Sequence, residues 1–170
     1  MIPADIDIDD LTRQLEEDSV AVGENHGGLE PALLDAVAYA EANDFGPLGV
    51  VVLDRTPPQT ADLRDVAQDL QLATDLGTVL VRTPSSGAVV SEVHTRAELE
   101  SAQHPFLGNP DIPAATHQFI DQVNAAGINW TLVTVLVLVV VVAVAAATAC
   151  SALTARPHRA GSSAASSLEA

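Results

Sequence analysis

From Trp130 to Cys150 the chain runs for 21 residues, WTLVTVLVLVVVVAVAAATAC, without a charge, a glycine or a proline. Wound as a helix at about 1.5 Å per residue, this run reaches roughly 31 Å, close to the ~30 Å hydrocarbon core of a bilayer. A segment of this kind is expected to span a membrane once. It divides the chain into residues 1–126, a juxtamembrane linker at 127–129, a transmembrane helix at 130–150 and a polar tail at 151–170 expected to be disordered.

Charge separates these parts further. The whole chain carries −16 and its seven basic residues are all arginine. Residues 1–128 hold 22 acidic side chains against five arginines, a net −17. So acidic a domain is repelled by nucleic acid and by anionic lipid, which excludes a phosphate-backbone binder. The single cysteine, Cys150, lies inside the apolar run, so no intrachain disulfide forms. The start, MIPADIDIDD, has neither a basic n-region nor an apolar h-region and does not read as a signal peptide.

Apolar spacing gives the elements of the acidic part. Ile8, Leu11 and Leu15 fall at helical spacing behind aspartates suited to capping, and SVAV at 19–22 is a short strand or a helix exit. EPALLDAVAYAEANDFG predicts a helix with Pro31 in its first turn, a stripe of Leu34, Val37 and Ala38, and Gly46 at its close. LGVVVLD at 48–54 predicts a strand covered on both faces. A helix follows with Leu63, Val66, Leu70 and Ala73 on one side, then two β-branched runs around a Pro-Ser-Ser-Gly turn, a hairpin. Thr95 and Glu98 form a capping box, and the last helix turns Ile112, Ala115, Phe119, Ile120 and Val123 inward. Helices alternating with apolar strands predict an α/β fold, a small three-layer domain whose mixed sheet is covered by helices.

The stretch VVVLDRTPPQTADLRDVAQDLQLATDLGTVLVRTPSSGAVVSEVHTRAELESA, with its strand, helix, GTVLVRTP, turn, β-run and ELESA helix, resembles the TPM domain. With DIDIDDLTRQLEEDSVAV in front, it is similar to a small family of actinobacterial single-pass membrane proteins without an assigned activity. The resemblance covers about residues 5–125 and implies an α/β/α fold tethered at the envelope. It also implies calcium as a candidate ligand and, as one activity, a weak calcium- or magnesium-dependent acid phosphatase. The Gly-rich, aromatic segment usual before the third strand is reduced here to ATDLG.

Asp54 and Arg55 end an apolar strand, where open α/β sheets keep their sites. Asp62, Asp65 and Asp69 follow on the next helix and Asp75 comes near its end, so Asp54, Asp62 and Asp65 are candidate oxygen ligands for a hard cation such as calcium. The plainer reading is a solvated acidic helix face, with Asp54 bonded to loop amides. His26, His94, His104, His117 and His158 show no zinc spacing, and Ser85 and Ser86 sit in a turn rather than a nucleophile elbow. No catalytic residue and no cofactor are assigned.

The expected role is a non-enzymatic, membrane-tethered interaction or regulatory domain at the cell envelope, with the metal-dependent phosphatase as the alternative. The expected partners are the bilayer, through residues 130–150, and a protein with a basic surface, one acting on the cell wall. Arg156 and Arg159 follow the span closely, whereas Arg96 is the nearest arginine before it. The positive-inside rule then favours the tail in the cytoplasm and the domain outside the plasma membrane, whereas the want of a signal peptide favours the alternative of a tail-anchored domain in the cytoplasm.

Overall fold

A computed structural model of the chain describes residues 3, 5–127 and 134–145. The chain divides into two compact units, Met1–Ile128 and Asn129–Ala170. In the first, helix α1 (Ile8–Asp18) leads into strand β1 (Val20–Val22), a 3-10 turn (Gly27–Leu29) and α2 (Glu30–Ala42). There follow β2 (Leu48–Val52), α3 (Asp62–Ala73), the hairpin β3 (Thr78–Arg82) and β4 (Gly87–Ser91), α4 (Arg96–Gly108) and α5 (Ile112–Gly127).

The sheet order is β1-β2-β3-β4, parallel across the first three strands and antiparallel at the hairpin. Each of the five residues of β2 and of β3 is buried, as expected of strands covered on both faces. Alternation along the strands assigns the faces. Val50, Val52, Leu80 and Val89 pack with Leu33, Phe45, Phe106 and Phe119 beneath α2, α4 and α5. Val51, Val79 and Val81 pack on the other side with Leu11, Leu15, Leu63 and Leu70 from α1 and α3. The domain is therefore a mixed α/β sheet with helices on both faces.

Local chemistry explains the boundaries. Asp7 caps α1 by accepting from the Asp10 amide at 3.1 Å, and Ser19 ends the helix at φ 68°. The capping box of α4 is present, with the Thr95 side chain accepting from the Glu98 amide and Glu98 accepting from the Thr95 amide.

Three expectations need correction. The buried stripe of α2 is Leu33, Ala36, Val37 and Ala40 rather than Leu34, Val37 and Ala38, a shift of about one residue in phase. Gly46 does not close α2; the helix ends at Ala42 and the chain turns through Asp44 at φ 57° before Gly46 at φ 94°. Ala73 is exposed at the end of α3, and Ala67 and Gln71 are buried in its place. The Gln71 side chain is satisfied there by donating to the Gly77 carbonyl at 3.0 Å.

In the second unit residues 134–145 are helical, and Val135 to Val144 expose more than half of nearly every large side chain on all faces. Among the described residues no helix is long and apolar enough to cross a membrane. The rest of the expected span at 130–150, the linker residues 128 and 129, the tail at 151–170 and His158 lie outside the described residues.

Candidate functional site

Parallel β1, β2 and β3 end on the same side, and there the chain makes a cleft of about 520 Å³. Five acidic residues, Asp5, Asp7, Asp10, Glu24 and Asp54, line it together with Arg55. Its apolar lining comes from Ile6, Leu11, Val22 and Leu53. Three separate segments supply the acids: the approach to α1, the loop after β1 and the end of β2.

Asp54 is the best-held of these acids. His26 Nδ1 lies 2.8 Å from its Oδ1, with both side chains about one-quarter exposed, and the Asn25 amide donates to the same oxygen at 3.3 Å. Burial pushes the Asp54 carboxyl up, but hydrogen bonds from His26 and Asn25 together outweigh it and hold its pKa below the usual carboxylate value. Gly23 makes the approach possible. A Cβ there would lie 2.6 Å from Asp54 Cγ and 2.7 Å from both carboxylate oxygens. Only a glycine lets the carboxylate lie against this stretch of backbone.

Asp10 is tied from its own helix. The Arg13 guanidinium and the Gln14 side chain donate to it and lower its pKa. The other end of Gln14 accepts from the Val22 amide at 3.1 Å, so a single side chain joins the acidic wall to the outer edge of β1.

Of the three residues considered as cation ligands, only Asp54 lines the cleft. Asp62 and Asp65 lie in the first turn of α3. Among the described residues no three histidine, cysteine, aspartate or glutamate side chains are grouped so as to hold a metal ion. Two further histidines serve the fold: His94 Nε2–H donates to the Phe45 carbonyl at 2.9 Å, and His117 lies 3.4 Å from Asp35 and edge-on to Tyr39. Ser85 and Ser86 belong to the hairpin turn, where Ser85 Oγ donates to Thr56 Oγ1 and the Thr83 hydroxyl donates to the Ser86 carbonyl.

Two features were not visible in the sequence. The His26–Asp54 pair joins residues 28 positions apart, and the glycine ahead of the Glu-Asn-His triplet was its only trace. Arg82 is 6% exposed at the end of β3, its guanidinium 5.6 Å from the Phe106 ring and donating to the Asn109 carbonyl at 3.3 Å, at the negative end of α4. Burial lowers its pKa.

A family model described as Membrane protein Rv1476 matches residues 1–163. Membrane protein Rv1476 of Mycobacterium tuberculosis (strain ATCC 25618 / H37Rv) is 27% identical over 136 residues, 79% of this chain and 70% of that protein. The solution structure of the N-terminal domain of the cg2496 protein from Corynebacterium glutamicum is 16% identical, with a TM-score of 0.48, over 74% of this chain and 86% of that one.

Proposed function

This chain belongs to the Rv1476 membrane protein family, and from that premise we propose that it is a non-enzymatic, membrane-tethered interaction domain at the cell envelope. The observation that supports this is the cleft, lined by five acidic residues and by apolar side chains. Such a surface attracts a protein with a basic face and speeds its association, with a strong dependence on salt. A regulator or scaffold that recruits a basic protein acting on the cell wall fits this chemistry. In the proposal, residues 130–150 span the plasma membrane once, with a TPM-type domain outside and the tail in the cytoplasm. The apolar helix at 134–145, exposed on every face, is compatible with lipid around it.

Cross-linking in cells followed by pull-down at increasing salt tests the recruitment. A basic partner released by salt is expected. A partner set without basic faces, or binding unchanged between low and high salt, contradicts it. Protease treatment of intact spheroplasts tests the orientation; the domain is expected to be removed, and its survival places it inside.

The alternative, a calcium- or magnesium-dependent acid phosphatase of TPM type, requires several oxygen ligands around one cation. The described carboxylates do not form such a set. Phosphomonoester hydrolysis in calcium or magnesium that is lost in Asp54→Ala would restore it.

A further inference from the structure

A charge buried in a protein interior is costly unless an opposite charge meets it, and a buried donor without an acceptor loses its water for nothing. Arg82 stands against both rules. It is 6% exposed at the carboxyl end of β3, and its Nη1 is buried with no hydrogen-bond acceptor among the described residues. Residues 1–128 hold 22 acidic side chains, yet none of the described ion pairs includes Arg82. Burial lowers its pKa and no neighbouring carboxylate offsets this.

The surroundings explain why nothing in the domain completes it. Its register neighbours are Val52 on β2 and Gly87 on β4, neither of which has a polar side chain. The Phe106 ring, 5.6 Å from the guanidinium carbon, supplies a cation–π attraction but accepts no charge. Among the described residues its hydrogen-bond acceptor is the Asn109 carbonyl, 3.3 Å from Nη2. That is long for a charged donor, whose bonds to carboxylates run about 2.7–2.9 Å. The carbonyl belongs to the corner between α4 and α5, where Asn109 leaves the helix in an extended conformation. Gly108 and Pro110 are exposed there, and a Cβ on Gly108 would meet nothing within 4 Å. The corner is thus lightly packed, and it can turn the Asn109 carbonyl to water while Phe106 stays in the core.

We propose that Arg82 is the seat of a small monocarboxylate ligand, which takes the place of the Asn109 carbonyl at the α4–α5 corner. A guanidinium presents parallel N–H groups on its two Nη atoms, and a carboxylate has two oxygens at matching spacing. Released from Asn109, Nη2 donates to one oxygen and Nη1 to the other, so one ligand answers both the charge and the free donor. Charge sets the class. One guanidinium cancels one negative charge; a dianionic phosphate would leave an excess charge beside Val52 and Phe106 in a domain of net −17. A halide carries the right charge but lacks the pair of acceptor atoms that matches the fork. Arg82 packs against Phe106 on the α4 side of the sheet, whereas the acidic cleft borders α1, so this is a second site that does not rest on the recruitment proposed there.

Titration of the isotope-labelled full chain in a nonionic detergent with sodium acetate, against sodium chloride at the same ionic strength and pH, reads this out by NMR. Acetate is expected to shift the Arg82 side-chain resonances and the Gly108 and Asn109 amides saturably, with a Kd in the millimolar range. Chloride and inorganic phosphate are expected to give no saturable shift there. Arg82→Lys keeps the charge but loses the fork, and is expected to weaken acetate about tenfold or more. Arg64→Lys, at an exposed position on α3, is expected to leave acetate binding unchanged. Should the Arg82→Lys chain fail to fold, the unsubstituted titration decides alone. Arg82 resonances that acetate leaves unmoved, as when water satisfies Nη1, overturn the proposal, and so does an equal or larger response to chloride or phosphate.

Discussion

The two ends of the sheet carry opposite chemistry. At β1 the outward amides are sealed by Asp18 and Gln14, and the adjoining cleft gathers five carboxylates. At β4 the outward-facing Val89 and Ser91 amides have no side-chain cap among the described residues, Val89 itself is 7% exposed, and the flanking helices bring Arg64 and Arg96 to the rim. The same side chain that seals β1, Gln14, also fixes Asp10 in the acidic wall. Sealing an edge and building an acidic surface are one piece of construction at β1. The acidic end is the surface on which the proposed basic partner would dock.

The comparison is most easily broken through its glycines. A Cβ at Gly87 would lie 2.5 Å from the Val81 carbonyl oxygen and 2.8 Å from Leu107 Cδ2. Backbone cannot step aside, so Gly87→Val is expected to cost about 3 kcal/mol, the upper end for an overpacked site, as a lowered urea midpoint. At Gly23 the obstacle is the Asp54 side chain, which can rotate away from His26. Gly23→Ala is therefore expected to cost less, about 1–2 kcal/mol, and to abolish the His26–Asp54 contact in NMR spectra. Equal costs at the two glycines would contradict the contrast between a backbone and a side-chain neighbour.

Gln14→Ala sharpens the difference between the edges by removing one cap. It is expected to cost about 1 kcal/mol and to speed exchange of the Val22 amide, leaving amides in β4 unchanged. Thr95→Ala acts at the other end by opening the capping box of α4, also at about 1 kcal/mol in thermal unfolding.

The smallest expected effect is a pH dependence. The folded pKa of Asp54 lies below its ordinary value of 3.8. Its contribution to stability is therefore full above that value and is lost as pH falls through the folded pKa. Asp54→Asn should flatten the stability profile below about pH 4 and leave its slope near neutrality unchanged. A changed slope near neutrality would mean that another group carries the effect.

Much of the fold was legible because its signals are local. Continuous apolar runs such as LGVVV and TVLVR mark strands buried on both faces, and Thr95 with Glu98 marks a helix start. The phase of α2 was not legible, since neighbouring Leu33 and Leu34 suit either stripe and packing against both the sheet and α5 decides between them. Placing Asp54 at a strand end located the cleft, but grouping it with Asp62 and Asp65 followed nearness in sequence. In the structure its neighbours come from the loop after β1 and from the approach to α1. Arg82 was missed because a charge ending a strand normally reads as exposed, and only the docking of α4 buries it.

Amide exchange along the two edge strands, measured on the full chain at low concentration, tests the central contrast most directly. The account predicts that the Val20 and Val22 amides exchange far more slowly than those of Val89 and Ser91, although all four lie on edges of the same sheet. Equal protection at the two edges, or slower exchange at Val89 and Ser91, would contradict it.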